Sequence, residues 1–406
     1  MATAGSSVQS AEPPKRLKVA IVYPFFAHYR EPVLRELLAH GRHDYLLVGD
    51  TRDPSGTIPV LDFADERRFI HTPCVYLGRG LMWQRRLVGL ALRGGVDCFI
   101  FLGNASWPAT WIAAVLARLR GCRVLFWTHG WVRPDTGPKQ ILRAMFYRIA
   151  HGLLLYGDHA RRIGCSLGFK AENLHVVYNS LDCEGQLQLL QSAEFEAEGR
   201  STRLRLFGTA QTPVVLASAR LTAGKRFDLL IGALGILGSE GIVVNLLVIG
   251  EGPERDRLEK LSQDCAIRTC FAGAIYDESQ LAGLFQCAAV TVSPGNVGLT
   301  CMHSMGYGAP VITHDDPCDQ GPEWEAIIPG KTGDFFRKNC VEDLARRIAE
   351  WTRTESPSQA TREACLAVVT SRYHPRVQRV LIEQAVAGAP AGSAIPPLPA
   401  TVSTLR

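Results

Sequence analysis

The feature that most constrains this chain is an alternation that occurs twice. From Leu17 onward, short aliphatic or β-branched runs alternate with longer segments of helical period, the pattern of repeated βα units that fold onto a parallel sheet. In the first half, runs at 18–23, 45–48, 98–102, 123–127, 153–156 and 175–177 predict strands, with helices over 32–40, 107–120 and 140–150. Residues 183–212, rich in Gln, Glu, Ser and Arg, read as a linker that ends at Pro213. Beyond it, strands are expected at 214–219, 243–249, 269–272, 290–292 and 311–313, with helices between and after them. The expectation is an α/β chain of two Rossmann-like parallel-sheet domains, 17–182 and 213–373, followed by a helix over 374–387. Disordered ends are expected at 1–16 and 388–406.

Composition narrows the class. With 406 residues, 47% hydrophobic and 20% charged, the chain can bury two sizeable cores. The first sixteen residues lack the apolar run of about 7–15 residues that a secretory signal needs, and no stretch reaches the ~20 apolar residues of a membrane span. A cytoplasmic protein is expected. Twelve cysteines are scattered singly with no Cys-x-x-Cys pair, so neither a zinc site nor a disulfide framework is suggested. The net charge of +5 is uneven: residues 1–185 hold 23 Lys and Arg against 15 acids, and the remainder 21 against 24. A basic first half suits an anionic acceptor or membrane face, although a solvated surface produces the same count.

Ligands of open parallel sheets bind at the carboxyl ends of the strands, so the loops there matter most. The strand at 214–219 delivers Arg220, and after a turn at Ala223-Gly224 it delivers Lys225 and Arg226 to the start of a helix. Three cations beside a helix N-terminus suit a diphosphate. Gly250-Glu251-Gly252-Pro253 and Phe271-Ala272-Gly273 put small residues at two further strand ends, where each is either a ligand-facing loop or a plain βα turn. The run Ser293-Pro294-Gly295-Asn296-Val297-Gly298-Leu299-Thr300 leaves room for a phosphate over the helix that carries His303.

Taken in order, Ser218-Ala219-Arg220-Leu221 to Lys225, Asp228-Leu229-Leu230, Gly250-Glu251-Gly252-Pro253-Glu254, Phe271-Ala272-Gly273, Gly298-Leu299 and Gly308-Ala309-Pro310-Val311-Ile312 resemble the retaining glycosyltransferases of family 4. The resemblance covers about residues 214–350 and is looser in the first half, at 23–30 and Trp127-Thr128-His129-Gly130. It implies the GT-B fold, two Rossmann-like domains facing a central cleft. It also implies transfer of a sugar, with retention, from a nucleotide-sugar donor to a glycan or lipid-linked acceptor in polysaccharide, lipopolysaccharide or glycolipid synthesis.

By that resemblance Arg220 and Lys225 grip the donor diphosphate, the backbone near Gly298, Leu299 and Thr300 completes its cradle, and Gly250, Gly252 and Gly273 lie along the donor. No cofactor or metal is implied, because fixed cations neutralise the leaving group. The family usually carries two glutamates eight positions apart, and those positions here hold Gly295 and His303. His303 retains hydrogen-bonding capacity toward a ribose. Glu323 and Glu325, in Gln320-Gly321-Pro322-Glu323-Trp324-Glu325, are the candidates for replacing the missing carboxylate. Bacterial family members with a similar Ser-Pro-Gly-x-Val-Gly-Leu-Thr run and a following Pro-Glu-x-Glu make this a subgroup feature.

In the first half, His129 sits at a strand end and is read as contacting the sugar or a transferred proton. The acceptor is expected to meet His28, Tyr29 and Arg30. Residues 81–87, Leu-Met-Trp-Gln-Arg-Arg-Leu, mix apolar and basic residues as interfacial helices do, which suggests peripheral contact with an anionic membrane. A sugar-nucleotide epimerase or hydrolase, or a non-catalytic nucleotide-sugar binder, are the rival readings. Nucleic acid is not expected as a partner, since no recognised binding module accompanies the basic half.

Overall fold

The computed structural model describes residues 15–53, 59–63, 66–78, 80–134, 136–190 and 195–393. Its strands, in chain order, are β1 (Lys18–Phe25), β2 (Asp44–Asp50), β3 (Phe69–His71), β4 (Cys74–Gly78), β5 (Leu81–Gln84), β6 (Cys98–Leu102), β7 (Arg123–Thr128), β8 (Gly152–Leu155) and β9 (Leu174–Val176), then β10 (Val214–Ser218), β11 (Asn245–Ile249), β12 (Thr269–Phe271), β13 (Val290–Ser293), β14 (Val311–His314) and β15 (Gly333–Phe336). The first parallel sheet has the order β3-β2-β1-β6-β7-β8-β9, and the second the order β12-β11-β10-β13-β14-β15.

Both faces of each sheet are covered, which is why the strands read as unbroken apolar runs. Along β1, Ala20 and Val22 enter one core while Val19, Ile21 and Tyr23 enter the other. In the second sheet Val215 and Ala217 pack on one side, Val214 and Leu216 on the opposite side. Strand order reverses between β1 and β6 in the first sheet and between β10 and β13 in the second, so the loops after these strands frame the two crevices.

Three parts of the sequence reading change. Residues 81–87 do not form a helix: β5 pairs antiparallel with β4, and a helix starts only at Leu87. The period is two, with Met82 and Gln84 buried and Leu81 exposed, and the Gln84 amide donates to the Tyr23 carbonyl at 2.9 Å and to Thr72 Oγ1 at 2.7 Å. Within 183–212, helices form at Cys183–Leu190 and Phe195–Phe207, the latter packing on helix Glu278–Gln286 of the second domain. The tail expected to be disordered from Gly388 is tied down at its start, where the Ala391 N–H donates to the Glu172 carbonyl at 2.8 Å. The outer parts of both expected disordered ends, 1–14 and 394–406, lie outside the described residues.

The helix Pro375–Ala387 returns to the N-terminal domain. Arg379 bridges Glu36 at 3.1 Å and Glu383 at 2.9 Å, and Ser180 Oγ donates to Gln378 at 2.6 Å. Among the described residues, no helix is long and apolar enough to cross a membrane.

Candidate functional site

The donor-side crevice is built by the loops that leave β10 and β13. After Ser218, Leu221 is buried as an anchor, Arg220 stays exposed, and Lys225 reaches across to Asn296, donating to its side-chain oxygen at 2.8 Å and its carbonyl at 3.0 Å. Burial holds the Lys225 pKa below its ordinary value. Among the described residues its ammonium has no carboxylate within ion-pair distance, so the charge is fixed in place and uncompensated. Arg226 does not join the cluster. Its left-handed backbone, φ 54°, turns the side chain away from the crevice to Asp228, with Nε to Oδ1 at 3.2 Å, and to Asn339.

Gly295 explains why no carboxylate stands at that position. Its N–H donates to the Lys225 carbonyl at 3.1 Å, and a Cβ there would lie 2.4 Å from the Gly224 carbonyl oxygen and 2.9 Å from Lys225 Cα. The two loops touch backbone to backbone, leaving no room for a side chain. Gly250 and Gly252 have the same origin: a Cβ on either would fall 2.0 and 2.2 Å from the carbonyl oxygens of Ala219 and Leu221. These two glycines brace the Arg220 loop from behind. Gly273 accepts from the Gly250 N–H at 2.8 Å and belongs to the same brace.

A cleft of about 930 Å³ runs beside this loop system between the domains, with Ser218, Leu299, His303 and Tyr276 on one wall and Tyr29 and Arg35 on the other. Above Gly298 the space is open, and the Thr300 hydroxyl is occupied in donating to the Ser218 carbonyl at 3.0 Å. His303 lies 3.3 Å from Glu278, which accepts from the Tyr307 hydroxyl at 2.6 Å. Burial opposes ionisation of Glu278, but these partners outweigh it and hold its pKa below the ordinary value. His303 therefore stands beside a carboxylate that sequence reasoning missed. Tyr276, also missed, is 85% exposed at the cleft rim, and an aromatic ring so placed just beyond a sheet end was the available signal.

Glu325 is corrected. Its two oxygens accept from the backbone N–H groups of Asp158 at 2.7 Å and His159 at 2.5 Å, capping helix Asp158–Ser166 of the opposite domain. Gly157 makes the space, since a Cβ there would lie 2.8 Å from Glu325 Oε1. Glu323 is buried, with a raised pKa caused by that burial, and accepts from the Asn179 amide at 2.7 Å. Asn179 in turn accepts from Arg30 at 3.3 Å. Neither glutamate points a free carboxylate into the cleft.

The N-terminal crevice is a depression of about 470 Å³ whose lining includes Asn104, Trp107, His129, Arg143 and Tyr156. Arg30, expected to read an acceptor, lines this depression but is almost wholly buried, bonded to the Tyr156 hydroxyl and 5.0 Å from the Trp127 ring. Packing of the loop after β1 decides this: the guanidinium fills a cage of aromatic faces. His28 faces the interdomain cleft, and Tyr29 lines both the cleft and the depression. His129 shows one face to solvent at the floor of the depression, with its ring 4.6 Å from Tyr156 and protein crowding the other sides. That crowding, followed by the Arg30 charge, pushes its pKa down to about 4, and the ring is neutral at pH 7.

Residues 207–365 match the family model described as Glycosyl transferases group 1. The chain is similar to the GDP-mannose-dependent alpha-(1-6)-phosphatidylinositol dimannoside mannosyltransferase of Mycobacterium tuberculosis, 34% identical over 164 residues that cover 39% of this chain and 40% of the relative. It is also similar to the lipopolysaccharide core biosynthesis glycosyltransferase LpsE of Rhizobium meliloti, 31% identical over 150 residues, 36% of this chain and 42% of that one. The chain thus matches about two fifths of the length of these relatives. Among solved structures, Anabaena Alr3699/HepE in complex with UDP superimposes with a TM-score of 0.67 at 16% identity, covering 92% of this chain and 100% of the other. The fold is GT-B.

Proposed function

We propose that the protein is a glycosyltransferase that moves a sugar from a nucleotide-sugar donor to a glycan or lipid-linked acceptor with retention of configuration. The observation that carries this reading is Lys225, a half-buried cation without a carboxylate partner, held by Asn296 beside exposed Arg220 at the switch point of the second sheet. In this reading the two cations neutralise the departing nucleoside diphosphate, a task for which preorganised charge is effective and no metal or cofactor is needed. The open backbone at Gly298 and Leu299 lets a phosphate approach, His303 backed by Glu278 meets the ribose, and Tyr276 flanks the base. Thr300, with its hydroxyl on Ser218, positions the loop. Gly250, Gly252 and Gly273 support the Arg220 loop from behind and border the donor through their backbone atoms.

Neutral His129 faces the donor from the N-terminal domain and hydrogen-bonds the sugar or the transferred proton. The acceptor enters the depression around Asn104 and Trp107. The names of the two relatives, which concern a phosphatidylinositol mannoside and lipopolysaccharide, support an acceptor carried by a lipid or a lipid-bound glycan. Peripheral membrane contact fits helix Pro138–Tyr147, where Ile141, Leu142 and Met145 are exposed beside Lys139. A cytoplasmic enzyme working at the inner face of the membrane follows from this reading.

The test is a panel of nucleotide sugars, GDP-mannose and UDP-sugars included, without added metal, with thermal stabilisation and release of nucleoside diphosphate recorded. Stabilisation and slow release with one donor, both lost in Arg220→Ala, are expected. A protein that no donor stabilises would end the transferase reading.

A further inference from the structure

On the side of the N-terminal domain opposite the cleft, where β7, β8 and β9 begin, lies a cavity of about 460 Å³. Arg118, Arg123, Arg148, Lys170 and His151 line it. They arrive from separate elements: Arg118 from the last turn of helix Pro108–Leu119, Arg123 from the first position of β7, Arg148 from the cap of helix Pro138–Tyr147, and Lys170 from the loop before β9. No Asp or Glu lines the cavity. Among the described residues none of the three arginines has a carboxylate within 4.0 Å, and the one acid paired with a lining cation, Glu172, meets Lys170 at 3.7 Å with both side chains exposed.

Two of the cations are held in place by backbone carbonyls, and the Arg148 guanidinium lies 5.0 Å from the Phe169 ring. Arg118 donates through Nη1 to Ile149 at 2.6 Å, and Arg123 through Nε to Ala385 at 2.8 Å. These bonds, with a longer one from Arg118 Nη1 to the Arg148 carbonyl at 3.4 Å, leave the other donors of both guanidinium forks without a protein acceptor among the described residues. His151 accepts from the Val124 N–H through Nδ1 at 3.0 Å, which places its proton on Nε2. Burial, then Arg118 and Arg123, keep the His151 pKa low, so the imidazole adds a neutral donor. Burial likewise lowers the Arg123 pKa, the mark of a cation desolvated without a counter-charge. Guanidinium forks left in this state match phosphate oxygens in pairs.

We propose that this cavity is a second anion site, separate from the interdomain cleft, that takes a phosphate group from either a free phosphorylated metabolite or a phospholipid headgroup. The site stands on its own geometry, and its test reads His151 rather than turnover, so its failure would leave the transferase reading untouched.

The experiment follows the His151 ring-proton signal of the full chain at pH 7, assigned by its loss in His151→Gln, as pyrophosphate is added. A parallel arm measures cosedimentation with phosphatidylcholine vesicles with and without phosphatidic acid. A free-phosphate site gives a saturable shift with a Kd below about 1 mM that weakens roughly tenfold or more in the Arg148→Gln/Lys170→Gln double variant. A headgroup site gives cosedimentation that requires phosphatidic acid and is lost in the same variant, whose thermal midpoint should fall by no more than a few degrees because both side chains are exposed and lose only the Phe169 ring contact and the Glu172 pair. No shift and no phosphatidic acid dependence, or equal binding by the double variant, overturns the proposal.

Discussion

Gly295 and Lys225 meet backbone to backbone: the Gly295 N–H donates to the Lys225 carbonyl at 3.1 Å, and a Cβ on Gly295 would approach Lys225 Cα to 2.9 Å. The loop that holds the fixed cation and the loop that leaves β13 are therefore one unit. A glutamate introduced at this position, as the wider family carries, would not restore a missing contact. Gly295→Glu should push the Lys225 turn aside and lower donor affinity and turnover together by about a hundredfold, the scale of losing a preorganised charge. Donor binding measured by calorimetry that stayed at the parent value would show that the turn tolerates the side chain.

His129 should act as a neutral ring. His129→Ala is expected to lower turnover by about 10²-fold while donor affinity stays within a few-fold, the pattern of a group that acts in the reaction rather than in binding. Its pKa of about 4 means that activity between pH 7 and 5 carries no His129 titration. A pH–rate profile with a fall near pH 6.5 that disappears in His129→Asn would contradict this placement.

Buried His175 makes stability depend on pH. Burial first, then Arg123 and Arg161, depress its pKa from 6.5 to about 4. The unfolded chain binds the proton more readily, so this contribution is fully present above about pH 6.5 and is lost as pH falls toward 4. Its full size is on the order of 3 kcal/mol. In urea unfolding at pH 7 and 5, His175→Leu should show a smaller loss of stability on acidification than the parent. Equal losses would mean that other groups set the acid sensitivity.

Glu325 couples the domains through the amino end of helix Asp158–Ser166. Glu325→Gln keeps one accepting oxygen and sets an amide N–H₂ against a backbone donor, at a cost of roughly 1–3 kcal/mol. Hydrogen exchange at the Asp158 and His159 amides should accelerate, while the diphosphate-side loops keep their protection. Unchanged exchange at both amides would show that the cap does not hold the domains in solution.

The linear sequence determined the architecture because the central strands of both sheets are buried on two faces, and that requirement writes an apolar run between turn residues wherever the chain crosses a core. The loops around Arg220, Lys225, His303 and His129 were legible for the same reason, since they must follow strand ends. Peripheral pieces were not: β3, the β4–β5 hairpin and β15 are only partly buried, so no run of residues buried on both faces marks them. Tertiary structure alone decided what the site residues do. It turned Arg226 to Asp228, buried Arg30 among aromatic rings, used Glu325 as a cap on the opposite domain, and gave Gly250, Gly252 and Gly295 to backbone contact. A local pattern specifies where a side chain leaves the backbone, but the partner of Lys225 lies 71 positions away and that of Glu325 lies 167 away, and only the packed domains bring them within hydrogen-bonding distance.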